Sequence, residues 1–200
     1  MTDSVLENRA NFTNGRTGHI IIKKIDFQVK VKKKKGNSKK MRVYNIDEET
    51  KAKFCRNLNY KYQLIFKLGC ATGLRISDIV KLKKDILSKR QPTITEQKTK
   101  KSKRFYIPKK LRAELCDFCQ NNSVYIFEST AENGHITRQA VWKHFKIVAK
   151  RLNIQINIGT HTMRKNHAKN LQLSGKSFSY IKTKLNHDNL ADTLLYLLEE

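Results

Sequence analysis

Residues 30–40, KVKKKKGNSKK, crowd seven lysines around a Gly-Asn-Ser break. Mutual repulsion and the lack of apolar side chains keep such a run from packing, so it reads as a solvated arm or linker. The chain therefore divides near residues 42–44. Residues 1–43 form a basic N-terminal arm, partly disordered or holding a short strand, and residues 44–200 must supply the core, a length that suits one ordinary domain. The charge excess crosses that boundary: residues 1–42 carry a net +9 of the total +25, and the sequence pI is about 10.1. Both parts call for a polyanion, either nucleic acid or an acidic membrane surface. No apolar run approaches the roughly 18 residues of a spanning helix. The opening MTDSVLENRANF lacks the basic start and apolar stretch of a secretory signal. The expected location is the cytoplasm, with no membrane partner.

Cys55, Cys70, Cys116 and Cys119 do not form a disulfide framework in a chain of this size. The C-x-x-C of Cys116 and Cys119 invites a zinc or redox reading. It lies in the helical pattern LRAELCDFCQ, and no second pair at ligand spacing follows. Two small buried hydrophobes on one helix face account for it, and no metal site is expected.

From Tyr44 the pattern is mainly α with a small β-sheet, an α+β chain. Asn45 or Asp47 caps EETKAKFCRNL, and NYKYQLIFKLGCAT is a buried helix broken at Thr72-Gly73. Ser77 caps DIVKLKKDIL, with Asp78 in its first turn. PTITEQKTKKSKRFYIP reads as a hairpin, with a charged turn and RFYIP as the return strand. KKLRAELCDFCQNN is a helix, VYIF a short buried segment and AENG a turn. Thr137 or Arg138 opens a helix to Leu152. Thr160 caps HTMRKNHAKNLQLS, which stops at Gly175, and SFSYIKTKLN and NLADTLLYLLEE are the last two helices.

Three of these pieces, ATGLRISDIV at 71–80, HTMRKNHA at 161–168 and LNHDNLADTLLYL at 185–197, together resemble the catalytic domain of the tyrosine recombinases, the phage-integrase family. The resemblance spans about residues 44–198 and implies that catalytic-domain fold. It carries over Arg75, a hairpin lysine, His161, Arg164, His187 and, nine residues beyond that histidine, Tyr196 as catalytic residues, with Asp78 in support. Taken singly, each has an ordinary alternative: a surface arginine, a solvated polar stripe, an amphipathic-helix aromatic. Five motifs in order, with His161 and Arg164 counted as one pair, carry the reading. For the lysine, the Gln-Lys-Thr context favours Lys98, while counting back from Pro108 points to Lys100; Lys98 is preferred. Lys100, Lys101, Lys103 and Arg104, with Lys32, Lys33, Lys34 and Lys35 of the arm, are expected along DNA phosphates.

Phosphodiester transesterification explains these residue types. The five-coordinate phosphorus gathers negative charge on its non-bridging oxygens, and two planar guanidinium forks match them. Two histidines donate further hydrogen bonds, a lysine protonates the leaving oxygen, and a tyrosine keeps the bond as a covalent phosphotyrosyl link, which the resemblance implies is to the 3′ phosphate. Neither cofactor nor metal is expected.

The resemblance thus implies a site-specific recombinase acting on double-stranded DNA, as a homo-tetramer on synapsed sites, in a prokaryotic, phage or mobile-element nucleoid. The alternatives are a type IB-like topoisomerase and a non-catalytic DNA-binding relative. Lys165 follows Arg164 where the family often has histidine. The four residues after Tyr196 leave no docking segment, and 43 residues cannot hold a helical core-binding domain. The chain is therefore expected to be a small, catalytic-domain-only form or a truncated copy.

Residues 23–42 hold ten Lys and Arg with Asp26 as their sole acid. Deleting residues 1–42 should therefore weaken binding to specific and random duplexes alike. The slope of log affinity against log salt should flatten by about 0.9 for each phosphate that the arm had neutralised. A truncated protein with an unaltered salt slope and a large drop in melting temperature would instead make the segment a structural strand.

Overall fold

The computed structural model describes residues 46–119, 124–130 and 134–198. The arm, its expected boundary and Lys32, Lys33, Lys34 and Lys35 lie outside them. Helix α1 (Glu48–Arg56) starts at Asp47, whose carboxylate accepts the Thr50 N–H at 2.7 Å, and has acids in its first turn and Lys53 and Arg56 in its last. Helix α2 (Tyr60–Thr72) buries Leu64, Ile65, Phe66 and Leu68, and stops at Gly73 in the left-handed region at φ +62°. A short helix, α3 (Ile76–Ile79), comes next, and α4 (Lys109–Phe118) follows the hairpin. Thr137 caps α5 (Arg138–Arg151) through the Ala140 N–H, and Ser177 caps α7 (Phe178–Leu185) through the Tyr180 N–H. Helices α6 (Thr160–Leu173) and α8 (Leu190–Leu198) complete the described helices.

Three local expectations need correction. Ser77 caps nothing: Arg75 stands at the N-cap of the four-residue α3, and a 3-10 turn at Lys84–Ser88 replaces the rest of the expected helix. The backbone between them is diverted into extended pairing. Lys84 N–H donates to Val124 O and Ile126 N–H to Leu82 O, which also gives the expected buried segment its partner. The sheet is smaller than read. Strand β1 (Thr93–Thr95) pairs antiparallel with β2 (Ser102–Arg104), Ile94 opposite Lys103, so RFYIP is not the return strand. Pro92, without an N–H, ends the ladder and only accepts from Phe105. Phe105 and Ile107 then enter the core as coil. Lastly, α6 is capped by Gly159, with Thr162 accepting the Gly159 N–H at 3.0 Å, and Thr160 is its first residue.

Cys119 is buried but Cys116 is exposed, so only one of the two thiols packs inside. Part of AENG lies outside the described residues. No described helix is long and apolar enough to cross a membrane.

The main core is built on Phe54, Phe66 and Phe145, whose rings meet edge to face at 5.3–5.8 Å. Helix α2 lies against α6 so closely that a Cβ on Gly69 would stand 2.5 Å from Met163 Sδ and 2.8 Å from its Cβ. That close approach fixes the turn at the end of α2 against the first half of α6. A second, smaller cluster (Ala168, Ile181, Leu185 and Leu197) joins α6, α7 and α8, with Tyr196 against it.

Gly69→Ala should therefore overpack the α2–α6 interface, at a cost of about 1–3 kcal/mol. At roughly 2–4 °C per kcal/mol for a domain of this size, a thermal melt should show the loss. An unchanged melting temperature would mean that the two helices part without cost.

Candidate active site

The turn after α2 has no latitude in side chain. Gly73 lies at a positive φ, and a Cβ there would stand 2.4 Å from Cδ2 of His167. Its carbonyl points into the protein and accepts two cations, Arg164 Nη1 at 2.7 Å and Lys103 Nζ at 3.1 Å. The second Arg164 nitrogen donates to Leu185 O, so α6, the α2 turn and the end of α7 meet at one guanidinium. Arg75, two residues beyond Gly73, pairs through Nη1 with Glu96 Oε2 at 2.5 Å. Arg164 and Lys103 each come within 3.9 Å of Glu96 Oε1. Glu96 also accepts from Thr99 Oγ1 at 2.7 Å and from Asn186 Nδ2 at 3.1 Å. Asp78 is buried and accepts the Gln97 N–H at 3.0 Å, bracing α3 against the hairpin turn.

Tyr196 returns to this cluster from the last described helix. Its hydroxyl is 3.5 Å from His161 O, its ring meets the His187 ring edge-on at 5.4 Å, and the Lys165 ammonium stands 5.3 Å from its centroid. His187 is oriented by Thr193, Nδ1 to Oγ1 at 3.0 Å, so the same helix that carries the tyrosine holds the imidazole. His161 opens α6 and is exposed; Arg164, one turn on, is 3% exposed.

Arg75, Arg164, His187 and Tyr196 are thus brought to one place with His161 beside them. Lys98 and Lys100 are not in the cluster: both lie on the hairpin turn, Lys100 at φ +57°. Exposed Lys101 pairs with Asp188 at 2.6 Å, and Arg104 is exposed on β2. Lys103 is a correction. Expected along DNA phosphates, it is 4% exposed, because β2 turns its side chain inward opposite Ile94. Sequence reasoning passed over Glu96 and His167 and put Lys103 on the outside. Strand alternation held a clue to Glu96 and Lys103: the first is in phase with Ile94, the second with Phe105 and Ile107.

Burial, reinforced by Arg164, pulls the Lys103 ammonium down to about 7. Burial and the nearby Arg75 bring Arg164 to about 10, still charged at neutral pH. Burial works to raise Glu96, but the Thr99 and Asn186 hydrogen bonds and the adjacent cations outweigh it and hold the carboxyl below its ordinary range. Burial raises Asp78. His187 falls to about 4 through burial and Arg164. His167, whose Nδ1 is 3.1 Å from Cys70 O, falls to about 4 chiefly through burial.

These histidines stay neutral in the folded chain while the unfolded chain takes up protons near pH 6.5, so their stabilisation is present above that pH and lost between about 6.5 and 4. His167→Asn should reduce that acid-induced loss, measured as the difference in urea midpoint between pH 7 and pH 4.5. An unchanged difference would show that His167 titrates alike in both states.

Residues 25–199 match the model of the phage integrase family. Probable integrase/recombinase YoeC of Bacillus subtilis (strain 168) is 29% identical over 144 residues, covering 70% of this chain and 79% of that protein. The chain spans about half the length of the relatives named tyrosine recombinase XerD. Among solved structures, that of XerA recombinase shares the fold at a TM-score of 0.67 and 16% identity, covering 78% of this chain and 61% of that one. The Tn1549 transposon integrase in complex with circular intermediate DNA does so at 0.65 and 16%, covering 78% and 63%. With the family's motifs folded into one cluster and its model matched over most of the length, the chain belongs to the phage integrase family.

Proposed function

We propose that this protein is a site-specific DNA recombinase that cuts and rejoins double-stranded DNA through a covalent tyrosine link. The observation that carries the reading is the meeting of distant segments: Tyr196 reaches His161 and His187 beside the two-arginine cluster. The Tyr196 oxygen attacks phosphorus and the bond from phosphorus to the leaving deoxyribose oxygen breaks. Lys98 hands that oxygen a proton, and His161 takes the tyrosine's. Arg75 and Arg164 neutralise the non-bridging oxygens, with His187 adding a hydrogen bond. Rejoining runs the same steps backwards, so the phosphodiester energy is conserved without a cofactor. A place on the hairpin turn suits Lys98, since the leaving oxygen belongs to a duplex lying outside the protein. The net charge of +25 supports DNA as the partner, and the Tn1549 integrase was solved with DNA. Four such chains would act on two synapsed duplexes.

Nicked suicide duplexes drawn from the DNA flanking the protein's own gene provide the test. The wild type should leave a protein–DNA adduct on a denaturing gel, and Tyr196→Phe should bind but leave none. Arg75→Lys and Arg164→Lys keep the charge and lose the fork, so adduct formation should fall about a hundredfold or more while affinity changes little. An adduct from the phenylalanine variant would remove Tyr196 as nucleophile. Relaxation of supercoiled plasmid without paired sites would favour a topoisomerase.

A further inference from the structure

Glu96 has no part in the strand-exchange chemistry above, yet it lies against both arginines that do. It directly follows β1, none of its side chain is exposed, and one oxygen accepts hydrogen bonds from Thr99 and Asn186 and lies 2.5 Å from Arg75 Nη1. The other lies 3.9 Å from both Lys103 and Arg164 and accepts no hydrogen bond, so those two cations are held to it by charge. Its partners come from the N-terminus of α3, the hairpin turn, β2, α6 and the residue preceding His187. The carboxylate is the more deeply placed partner: 16% of the Arg75 side chain is open to solvent and none of Glu96 is. A phosphate arriving from solvent therefore reaches the Arg75 side chain before the carboxylate.

We infer that Glu96 is a positioning residue for strand cleavage, a backing anion that holds Arg75 and Arg164 as a spaced pair and ties the lysine-bearing turn to them through Thr99. The inference rests on the recombinase reading for its effect on rate, but not for its effect on the arginines. An amide in its place keeps the shape and the Thr99 hydrogen bond but removes the charge. Arg75 and Arg164 then repel each other without their nearest counter-ion, with Asp78 left to offset them only in part, and move apart.

The test is Glu96→Gln, read in two ways. In the full-length protein without DNA, phenylglyoxal should modify Arg75 and Arg164 at least about fivefold faster than in the wild type, by peptide mapping, with exposed Arg90 and Arg138 unchanged as internal controls. On the suicide duplexes the rate of adduct formation at saturating DNA should fall on the order of a hundredfold, as for a displaced catalytic group. The dissociation constant for DNA should stay within about threefold. Glu96→Asp keeps the charge but withdraws it by one methylene, and should recover part of the arginine protection; it carries the same comparison if the amide lowers the melting temperature too far. Equal acceleration at all arginines would reduce Glu96 to a structural role. Wild-type protection and rate, or faster cleavage, would overturn the inference. If the wild type itself forms no adduct, the recombinase reading fails while the arginine protection still decides the role of Glu96.

Discussion

Two basic side chains, Lys103 and Arg164, are buried with a third, Arg75, half-buried beside them, and the rest of the site depends on how their charge is met. Lys103 and Arg164 keep about a twenty-fifth of their side chains open, and Arg75 about a sixth. Moving like charges together out of water is unfavourable unless each finds a partner, and a partly satisfied network is worse than none. The protein offers the Glu96 carboxylate with Asp78 nearby, the Gly73 carbonyl and the Leu185 carbonyl, and the remaining strain falls on the group most easily neutralised, the Lys103 ammonium. The rest of the domain can be seen as what is needed to keep those partners in place. Helix α2 ends where its carbonyl can point inward, α6 is pressed against it at Gly69, and a two-stranded hairpin delivers the acid.

Sequence patterning made the helical skeleton readable because it depends on local rules. Asp47, Thr137 and Ser177 cap as their side chains allow, and Gly73 breaks α2 as a glycine followed by a non-helical corner should. The largest failure comes from backbone groups taken by distant partners. The expected helix after Asp78 yields to pairing between residues 82–84 and 124–126, which no local pattern encodes. The motif residues Arg75, Arg164, His187 and Tyr196 were visible because their order and spacing are a pattern in their own right. Lys103 was not, because a lysine among lysines reads as solvated, and only strand register distinguishes the one that points inward.

The tyrosine is held differently from the arginines. The cations are anchored to the main core, whereas Tyr196 rests on the small cluster of Ala168, Ile181, Leu185 and Leu197. Burying a leucine such as Leu197 contributes about 1.5–3 kcal/mol to that hold, and Arg164, whose second nitrogen donates to Leu185 O, ties the small cluster to the charge clamp.

The Gly73 carbonyl gives the site a kind of memory that side chains do not. An arginine anchored to main-chain oxygens takes its position from the course of two turns, not from the identity of the neighbours along them. Replacing residues around the pocket changes its lining but leaves the oxygens where the chain bends. Such a fork can outlast extensive drift in sequence, and it fails abruptly only when the left-handed corner itself is lost. A fold shared at 16% identity is compatible with that arrangement. The most durable part of this pocket is made of backbone.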